Sequence, residues 1–262
     1  MSNGADIPRP PWQRSPKRAS KRKREPITQE AIVDKAIEVL DAEGLDGLSM
    51  RRIAEELGTG AASLYWHVGS KDGLLDLIFD RIIGEQHVPD PEPGRWEEQL
   101  KEVARNMRRA VTSHRDVVEI SLGRIPMGPN ALEWSERVLA IVRSGGVPDE
   151  MAVRAVWLLT SVVNGFTMDE NADYTPTTGD AEVTEEAAEL ASAYIASLPA
   201  DRFPNLVAVA GQYRAIDRDE SFELLLDLYV DGLAKRASSE SAHDTGGSRR
   251  QAARPSRRGK PK

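Results

Sequence analysis

The feature that most constrains this fold is a series of short helical segments, each bracketed by residues that start or stop helices. Thr28 precedes an apolar repeat near 3.6 residues that runs to Gly44, and Ser49 precedes a second segment that stops at Gly58. Threonine and serine are favoured N-caps, and glycine is a frequent residue after the last helical turn. The pattern therefore predicts two helices, 29–43 and 50–57, in quick succession.

Two more helices are predicted directly afterwards. Residues 61–67 form a third short segment behind the turn Gly58–Gly60, and Ser70 precedes a longer apolar stripe that extends to His87. We expect this fourth helix to link the first part of the chain to the rest, with His87 at its far end.

Three bulky residues, Tyr65, Trp66 and His67, stand side by side in the third segment. Consecutive residues point to different sides of a helix, so they cannot all face one core. Two short helices joined by a glycine-containing turn, behind a supporting helix, are typical of a helix-turn-helix, whose second short helix enters the major groove of DNA. Leu64 is then expected in the core. An exposed aromatic patch for protein contacts is the alternative, and the basic segment ahead favours DNA.

Both ends of the chain are basic although the net charge is −7. Residues 1–26 carry eight Lys/Arg against two Asp/Glu, and residues 234–262 carry nine against two. Both ends are rich in polar residues and too poor in apolar ones to fold alone. We predict a disordered basic arm over 1–26 and a disordered basic tail over 237–262. The arm is expected to place Lys21, Arg22, Lys23 and Arg24 on DNA, whereas for the tail polyanion binding and mere solubility stay equally open.

A proline-rich segment at 88–94 marks a domain boundary. Residues 27–88 are predicted to form the helix-turn-helix domain with its linking helix, and residues 95–236 a second domain. Helical periodicity persists beyond the boundary and no strand-like alternation appears, so the predicted fold class is all-α. The helices of the second domain are expected near 95–112, 114–122, 128–144, 149–169, 183–198 and 219–236.

Several classes of protein are disfavoured by composition. The chain has no cysteine, which excludes a disulfide scaffold and a thiolate metal site and fits a reducing cytoplasm. It shows no apolar leader and no run of about 18 uninterrupted apolar residues, so we expect no membrane association. No Ser-His-Asp set, phosphate loop or zinc spacing is present, so we expect neither an enzyme nor a bound cofactor or metal. A ligand-independent architectural DNA-binding protein and, with less support, an α-helical enzyme remain as alternatives.

The segment "ITQEAIVDKAIEVLDAEGLDGLSMRRIAEELGTGAASLYWHVGSKDGLLDLI" resembles the DNA-binding domain of the tetracycline-repressor (TetR) family. The second half is similar to the regulatory domain of the tetracycline repressors at "SHRD" (113–116), Leu122–Gly123 and Gly145–Gly146. This resemblance implies an all-helical homodimer that represses transcription at an operator until a small-molecule inducer binds.

The resemblance also implies which side chains contact DNA. Ser49 and Arg51 would contact the backbone and one base, with other contacts from the third helix and the start of the fourth. The tetracycline repressors carry a longer polar side chain where this chain has Ala61, so we expect a different operator. The remaining predicted DNA-contacting residues are Ala62, Ser63, Tyr65, Trp66, His67 and Lys71.

For the ligand, the resemblance points to His87, which matches a drug-contacting position, although a solvated helix cap is an equal alternative for it. Ser121 stands where the relatives have a histidine that binds the magnesium of the drug. Serine is a poor substitute for imidazole as a metal ligand, so magnesium-tetracycline is not the expected inducer.

Large apolar residues on the helices of the second domain predict a hydrophobic pocket for a polycyclic ligand, such as an antibiotic or a secondary metabolite. Core packing is the alternative for any one of them. The helices near 149–169 and 219–236 are apolar on more than one face, which predicts that they pair with their symmetry mates in a homodimer. The predicted pocket residues, besides His87 and Ser121, are Met107, Trp134, Val138, Trp157 and Phe166.

Overall fold

The computed structural model describes residues 27–171, 184–215 and 217–251. Within these ranges the chain is helical and contains no strand, which confirms the predicted all-α class. The helices are α1 Gln29–Gly47, α2 Met50–Glu56, α3 Ala61–Val68, α4 Lys71–Ile83, α5 Trp96–Thr112, α6 Val117–Ser121, α7 Pro129–Ser144, α8 Asp149–Asn171, α9 Thr184–Ala196, α10 Pro204–Val209 and α11 Arg218–Gln251, with a 3-10 helix at Ala210–Ala215.

The first helices begin at the caps that the sequence predicts. The hydroxyl of Thr28 accepts a hydrogen bond from the amide of Ala31 at 3.2 Å, that of Ser49 from Arg52 at 3.1 Å, and that of Ser70 from Gly73 at 2.9 Å. Each cap satisfies an amide that has no partner within its own helix. In α1 the regular helical conformation is interrupted at Gly44, the predicted stop, whose φ of 75° suits glycine.

Helices α1 to α4 enclose one apolar core. α1 packs on α2, α3 and α4, and α2 packs on α3. The side chains that fill the core are excluded from solvent, and burying each contributes about 1.5–3 kcal/mol. They include Ile32, Leu40, Ile53, Leu64, Leu74 and Ile78.

The second domain is a bundle around α5. This helix packs against α7, α8 and α11, and α7 also packs against α8 and α4. α9, α10 and the 3-10 helix pack mainly on one another. The centre of the bundle is formed by Leu100, Val103, Ile141, Leu159, Val163 and Phe222.

One helix is apolar enough to be compared with a membrane span. Within the described residues, Asp149–Glu170 of α8 has sufficient length and a mean hydropathy of 1.3 over its most apolar window. Length and hydropathy alone are weak evidence for a membrane span, because core helices of globular proteins can be equally long and apolar.

Three predicted boundaries are wrong. The linking helix α4 ends at Ile83, so His87 is not its last residue and cannot cap it. Glycine at 84 propagates a helix poorly, and Pro89 disfavours helical backbone just before it. α6 starts at Val117 because Asp116 adopts a left-handed conformation with φ 58°. α11 continues to Gln251 instead of ending near 236.

Residues 237–251 of the predicted disordered tail belong to α11. Residues 252–262 lie outside the described residues. So do residues 1–26, and with them the predicted basic arm and its DNA contacts at Lys21, Arg22, Lys23 and Arg24.

Candidate DNA-contacting surface and ligand cavity

Helix α3 has one face in the core and one in solvent. Leu64 and Val68 are buried, whereas the Tyr65 side chain is 47% exposed and that of Trp66 is 83% exposed. His67 is half-buried, with its ring edge-on to Trp66 at a centroid distance of 4.9 Å. Ala62 is exposed and Ser63 half-buried at the start of the helix. The bulky cluster is therefore exposed or half-buried while Leu64 and Val68 fill the core, as the helix-turn-helix interpretation requires.

The neighbouring helices place further polar groups beside this face. Arg51 on α2 is exposed and pairs with Glu55 at 2.9 Å, and Lys71 is exposed at the first position of α4. Ser49 is exposed but its hydroxyl caps α2. Sequence reasoning missed Gln29, whose side-chain amide donates to the carbonyl of His67 at 2.9 Å and fixes the end of α3 against the start of α1.

The loop before α6 joins the two domains. His114 lies between two carboxylates: its Nδ1 is 2.9 Å from Asp41 on α1, and its Nε2 is 2.9 Å from Glu85 after α4. Asp41 also accepts from the amide of Arg115 at 3.1 Å, and Asp116 accepts from the amide of Leu45 at 2.7 Å. We name Asp41, Glu85 and His114 the histidine clamp.

The histidine clamp favours the charged form of its imidazole. Both ring nitrogens face carboxylate oxygens, and only imidazolium donates from both. Burial of the ring opposes protonation, but the hydrogen bonds with Glu85 and Asp41 outweigh it and raise the pKa of His114. The contact between the domains is therefore strongest when His114 is protonated.

A second joint lies between α4 and α7. The carboxylate of Asp80 accepts from the amide of Ala131 at 2.9 Å and from the side-chain amide of Asn130 at 3.1 Å. Gly128, the N-cap of α7, has no side chain to cap the helix, and a Cβ there would collide with Asp80. Asp80 thus caps α7 from another helix, which couples the position of α4 to that of α7.

A cavity of about 690 Å³ lies between α4, α5, α6, α7 and α8. This volume is within the range of sites for drug-sized ligands. Its wall is mostly apolar, with contributions from all five helices and from the loop after α6. The lining residues include Phe79 and Ile83 of α4, Met107 and Val111 of α5, Val118 and Ser121 of α6, Leu122, Arg124 and Pro126 of the loop, Trp134 and Leu139 of α7, and Val153, Trp157, Asn164 and Met168 of α8.

Four of the seven predicted pocket residues line this cavity: Met107, Ser121, Trp134 and Trp157. The other three are not among the described lining residues, and each has a different position.

Val138 is buried in the core of the bundle. Phe166 packs on Phe222 at a ring distance of 5.1 Å, beside the Arg108 guanidinium. His87 is exposed, and its backbone carbonyl accepts from the side chain of Asn106 at 2.7 Å.

Two residues of the cavity wall each have one buried polar atom that makes no hydrogen bond with the described residues. The atoms are the indole Nε1 of Trp134, a donor, and the side-chain Oε1 of Gln86, an acceptor. Buried polar groups are normally satisfied, so both atoms are suited to a ligand. Helical periodicity does not identify Gln86, because this residue follows the end of α4.

Arg124 is the only ionisable side chain among the described lining residues. Its guanidinium bonds to the carboxylates of Asp76 and Asp72 on α4 and to the carbonyl of Asp72 at 3.2 Å. Burial lowers the pKa of Arg124, but these hydrogen bonds more than compensate and raise it. Sequence reasoning missed this residue because loops carry no periodic signal.

Large apolar side chains are exposed on α8 and on α11, and those on α8 also line the cavity. Val153 and Trp157 on α8 are 61% and 67% exposed, and Leu224 and Leu228 on α11 are 59% and 65% exposed. Each pair is spaced four residues apart and so lies on one side of its helix. We name these four residues the α8/α11 face.

Comparison with protein families assigns both halves of the chain. Residues 32–78 match the model described as bacterial regulatory proteins, tetR family, and residues 88–237 match the tetracyclin repressor-like, C-terminal domain. Among curated relatives, the HTH-type transcriptional repressor DrrR1 of Streptomyces coeruleorubidus is 37% identical over 57% of this chain. That match spans 56% of the relative, so the chain covers about half the length of DrrR1. The class A tetracycline repressor from transposon 1721 of Escherichia coli is 30% identical over 78% of this chain and 89% of the relative.

Solved structures include two forms of one similar protein. Apo ActR from Streptomyces coelicolor is 44% identical, with a TM-score of 0.75 over 82% of this chain and 99% of that chain. ActR in complex with actinorhodin is 46% identical, with a TM-score of 0.73 over 79% and 95% of the two chains.

Proposed function

Since the chain belongs to the tetR family of bacterial regulators and has a tetracyclin repressor-like C-terminal domain, we propose that it is a ligand-responsive transcriptional repressor. It binds operator DNA through α3 and is released when a small molecule occupies the cavity of the second domain. Ser49, Arg51, Ala62, Ser63, Tyr65, Trp66, His67 and Lys71 are the proposed DNA-contacting residues, joined by Lys21, Arg22, Lys23 and Arg24 of the N-terminal segment.

The observation that carries this proposal is the double role of α4. Its first residue, Lys71, is exposed beside α3, while Phe79 and Ile83 near its other end line the cavity. One helix thus adjoins both the DNA-contacting surface and the ligand cavity. A ligand that binds more tightly when α4 is shifted favours that arrangement over the one that binds DNA. The loss of DNA affinity is set by the difference between the ligand's affinities for the two arrangements.

The proposed ligand is polycyclic and largely apolar. The two indoles of Trp134 and Trp157 suit a flat ring system, and the cavity volume admits several fused rings. Trp134 Nε1 and Gln86 Oε1 are buried without a partner, so a ligand that displaces either side chain slightly gains a hydrogen bond from the indole or to the amide oxygen. The structure of ActR with actinorhodin supports an antibiotic or related secondary metabolite as the ligand class.

We further propose a homodimer that binds a palindromic operator. The α8/α11 face leaves four large apolar side chains in water, and a second copy of the chain is the proposed cover. Two-fold symmetry of the protein is matched by two-fold symmetry of the DNA site.

The test is selection of double-stranded DNA from a random library with the full-length protein. We expect an enriched two-fold symmetric site that gives a bounded footprint. Addition of actinorhodin, or of another fused-ring quinone, is expected to abolish the footprint. Binding of all sequences with equal affinity would support an architectural DNA-binding protein instead, and a specific footprint that no cavity ligand affects would contradict regulation by ligand.

The matched control for the ligand effect is Trp134→Ala. It removes an indole from the cavity wall and lies on α7, outside the proposed DNA-contacting surface. We expect this variant to keep its footprint and to need a higher concentration of the quinone for release.

A further inference from the structure

Arg124 occupies an unusual position, because it contributes to the cavity wall and to the surface of α4 at once. Its side chain is 19% exposed, whereas its partners Asp72 and Asp76 are 85% and 62% exposed. No other described lining residue carries a charge. An arginine that lines an apolar cavity and pairs outward with two exposed carboxylates is placed to exchange them for an anionic group of a bound ligand.

The outward pairs are weak competitors for the guanidinium. The carboxylates of Asp72 and Asp76 are exposed, so water and salt screen their attraction to the guanidinium. A carboxylate inside the cavity is less hydrated and meets the planar guanidinium with two parallel hydrogen bonds, which is the geometry arginine favours. A ligand carboxylate therefore competes well with Asp72 and Asp76.

The outward pairs also lie at the functional end of α4. Asp72 directly follows Lys71, and Asp76 is one turn further along. Arg124 thus holds the first two turns of the helix that begins beside the DNA-contacting surface. Loss of these contacts frees that end of α4, while Asp80 continues to hold its middle against α7.

Resting on the proposed function, we propose that Arg124 selects ligands that carry a carboxylate and that its transfer from Asp72 and Asp76 to the ligand couples binding to release of DNA. The ligand class is thereby narrowed to polycyclic molecules with an acidic substituent near the loop after α6. The neutral polar atoms of Trp134 and Gln86 orient the ring system of the ligand, and Arg124 binds its carboxylate.

The first test compares two probes of equal shape, anthraquinone-2-carboxylate and anthraquinone-2-carboxamide, by calorimetric titration of the full-length protein. We expect the acid to bind at least about tenfold more tightly than the amide. In Arg124→Gln this preference is expected to disappear while the affinity for the amide stays within about twofold. Equal affinities in the wild type, binding of neither probe, or a preference that survives in Arg124→Gln would overturn the proposal.

The second test addresses the coupling. In the double variant Asp72→Asn, Asp76→Asn the guanidinium has no outward carboxylates, so we expect tighter binding of the acid and a smaller effect of the acid on affinity for the selected DNA. Asp90→Asn, which removes an exposed partner of Arg137 at 3.0 Å, is the control and is expected to behave as the wild type.

Failure of this proposal is distinguishable from failure of the proposed function. If the acid and the amide bind equally and both release DNA, the proposed function as a ligand-responsive repressor is supported and the proposed role of Arg124 is rejected. If the acid is preferred through Arg124 but the double variant releases DNA as the wild type does, the transfer of Arg124 is overturned.

Discussion

Adjacent residues of α3 differ sharply in burial, and this separates stability from DNA binding. Leu64 is fully excluded from solvent, whereas Trp66 is 83% exposed. We expect Leu64→Ala to lower the free energy of unfolding by about 2–5 kcal/mol, and Trp66→Ala to change it by no more than about 0.5 kcal/mol. Urea unfolding measures both. Affinity for the selected DNA should fall in Trp66→Ala despite its intact fold, and an unchanged affinity would remove Trp66 from the DNA-contacting surface.

Asp80 stabilises a helix to which it does not belong. Its carboxylate accepts hydrogen bonds from the backbone amides of Asn130 and Ala131 at the start of α7, where Gly128 has no side chain to cap the helix. Removal of a capping side chain costs about 1–2 kcal/mol, so Asp80→Ala should lower the unfolding free energy by that amount. Asp90→Ala, at an exposed ion pair, is the control and should differ from the wild type by less than about 0.5 kcal/mol. Equal effects of the two variants would show that Asp80 does not act as a cap.

The histidine clamp makes stability depend on pH in a definite direction. The pKa of His114 is raised in the folded protein above its value of 6.5 in the unfolded chain. The clamp therefore stabilises the folded state fully at pH values below 6.5, and this stabilisation is lost as the pH rises through the pKa of the folded protein. The wild type should therefore exceed His114→Gln in unfolding free energy at about pH 6 by more than at about pH 9. His87→Gln, at an exposed position outside the clamp, should follow the wild type. A constant difference between wild type and His114→Gln across this range would contradict the interpretation.

Individual residues were predictable from the sequence to different degrees. Leu64 and Trp66 were separable because neighbouring residues of a helix point to different sides. Arg124 and Gln86 were not, because their role depends on where two loops return to the bundle. His87 was misplaced because it was assigned to a helix that ends four residues earlier.

At the level of helices, the sequence predicted those with a local start signal. Thr28, Ser49 and Ser70 cap their helices as expected, and the glycine turn before α3 is found where it was predicted. Ends set by tertiary contacts were missed. The left-handed Asp116 shortens α6 because its carboxylate is bound to Leu45, 71 residues away in the chain. α10 was also missed, since six residues give too little periodicity.

At the level of the whole molecule, the α8/α11 face predicts self-association. Leu228→Arg places a charge in the centre of this face, so we expect it to convert a dimer into a monomer at micromolar concentration. Leu132→Arg, at a 51% exposed site on α7, is the matched control and should remain dimeric. Sedimentation velocity distinguishes the two states. A wild-type protein that is monomeric, or a dimer that Leu228→Arg leaves intact, would contradict the prediction that the α8/α11 face forms the dimer interface.

The contacts between α1 and the loop before α6 have a consequence for exchange of parts between related regulators. Asp41, Gly44 and Leu45 lie before the proline-rich segment 88–94, and His114, Arg115 and Asp116 lie after it. At Gly44 any side chain would come within 2.8 Å of the Asp116 carboxylate. A hybrid with the first 88 residues of one relative and the remainder of another would therefore join surfaces that were not selected together. It should transmit the ligand signal only if both sets of residues come from the same parent, so recombination in this lineage is expected to preserve them as a pair.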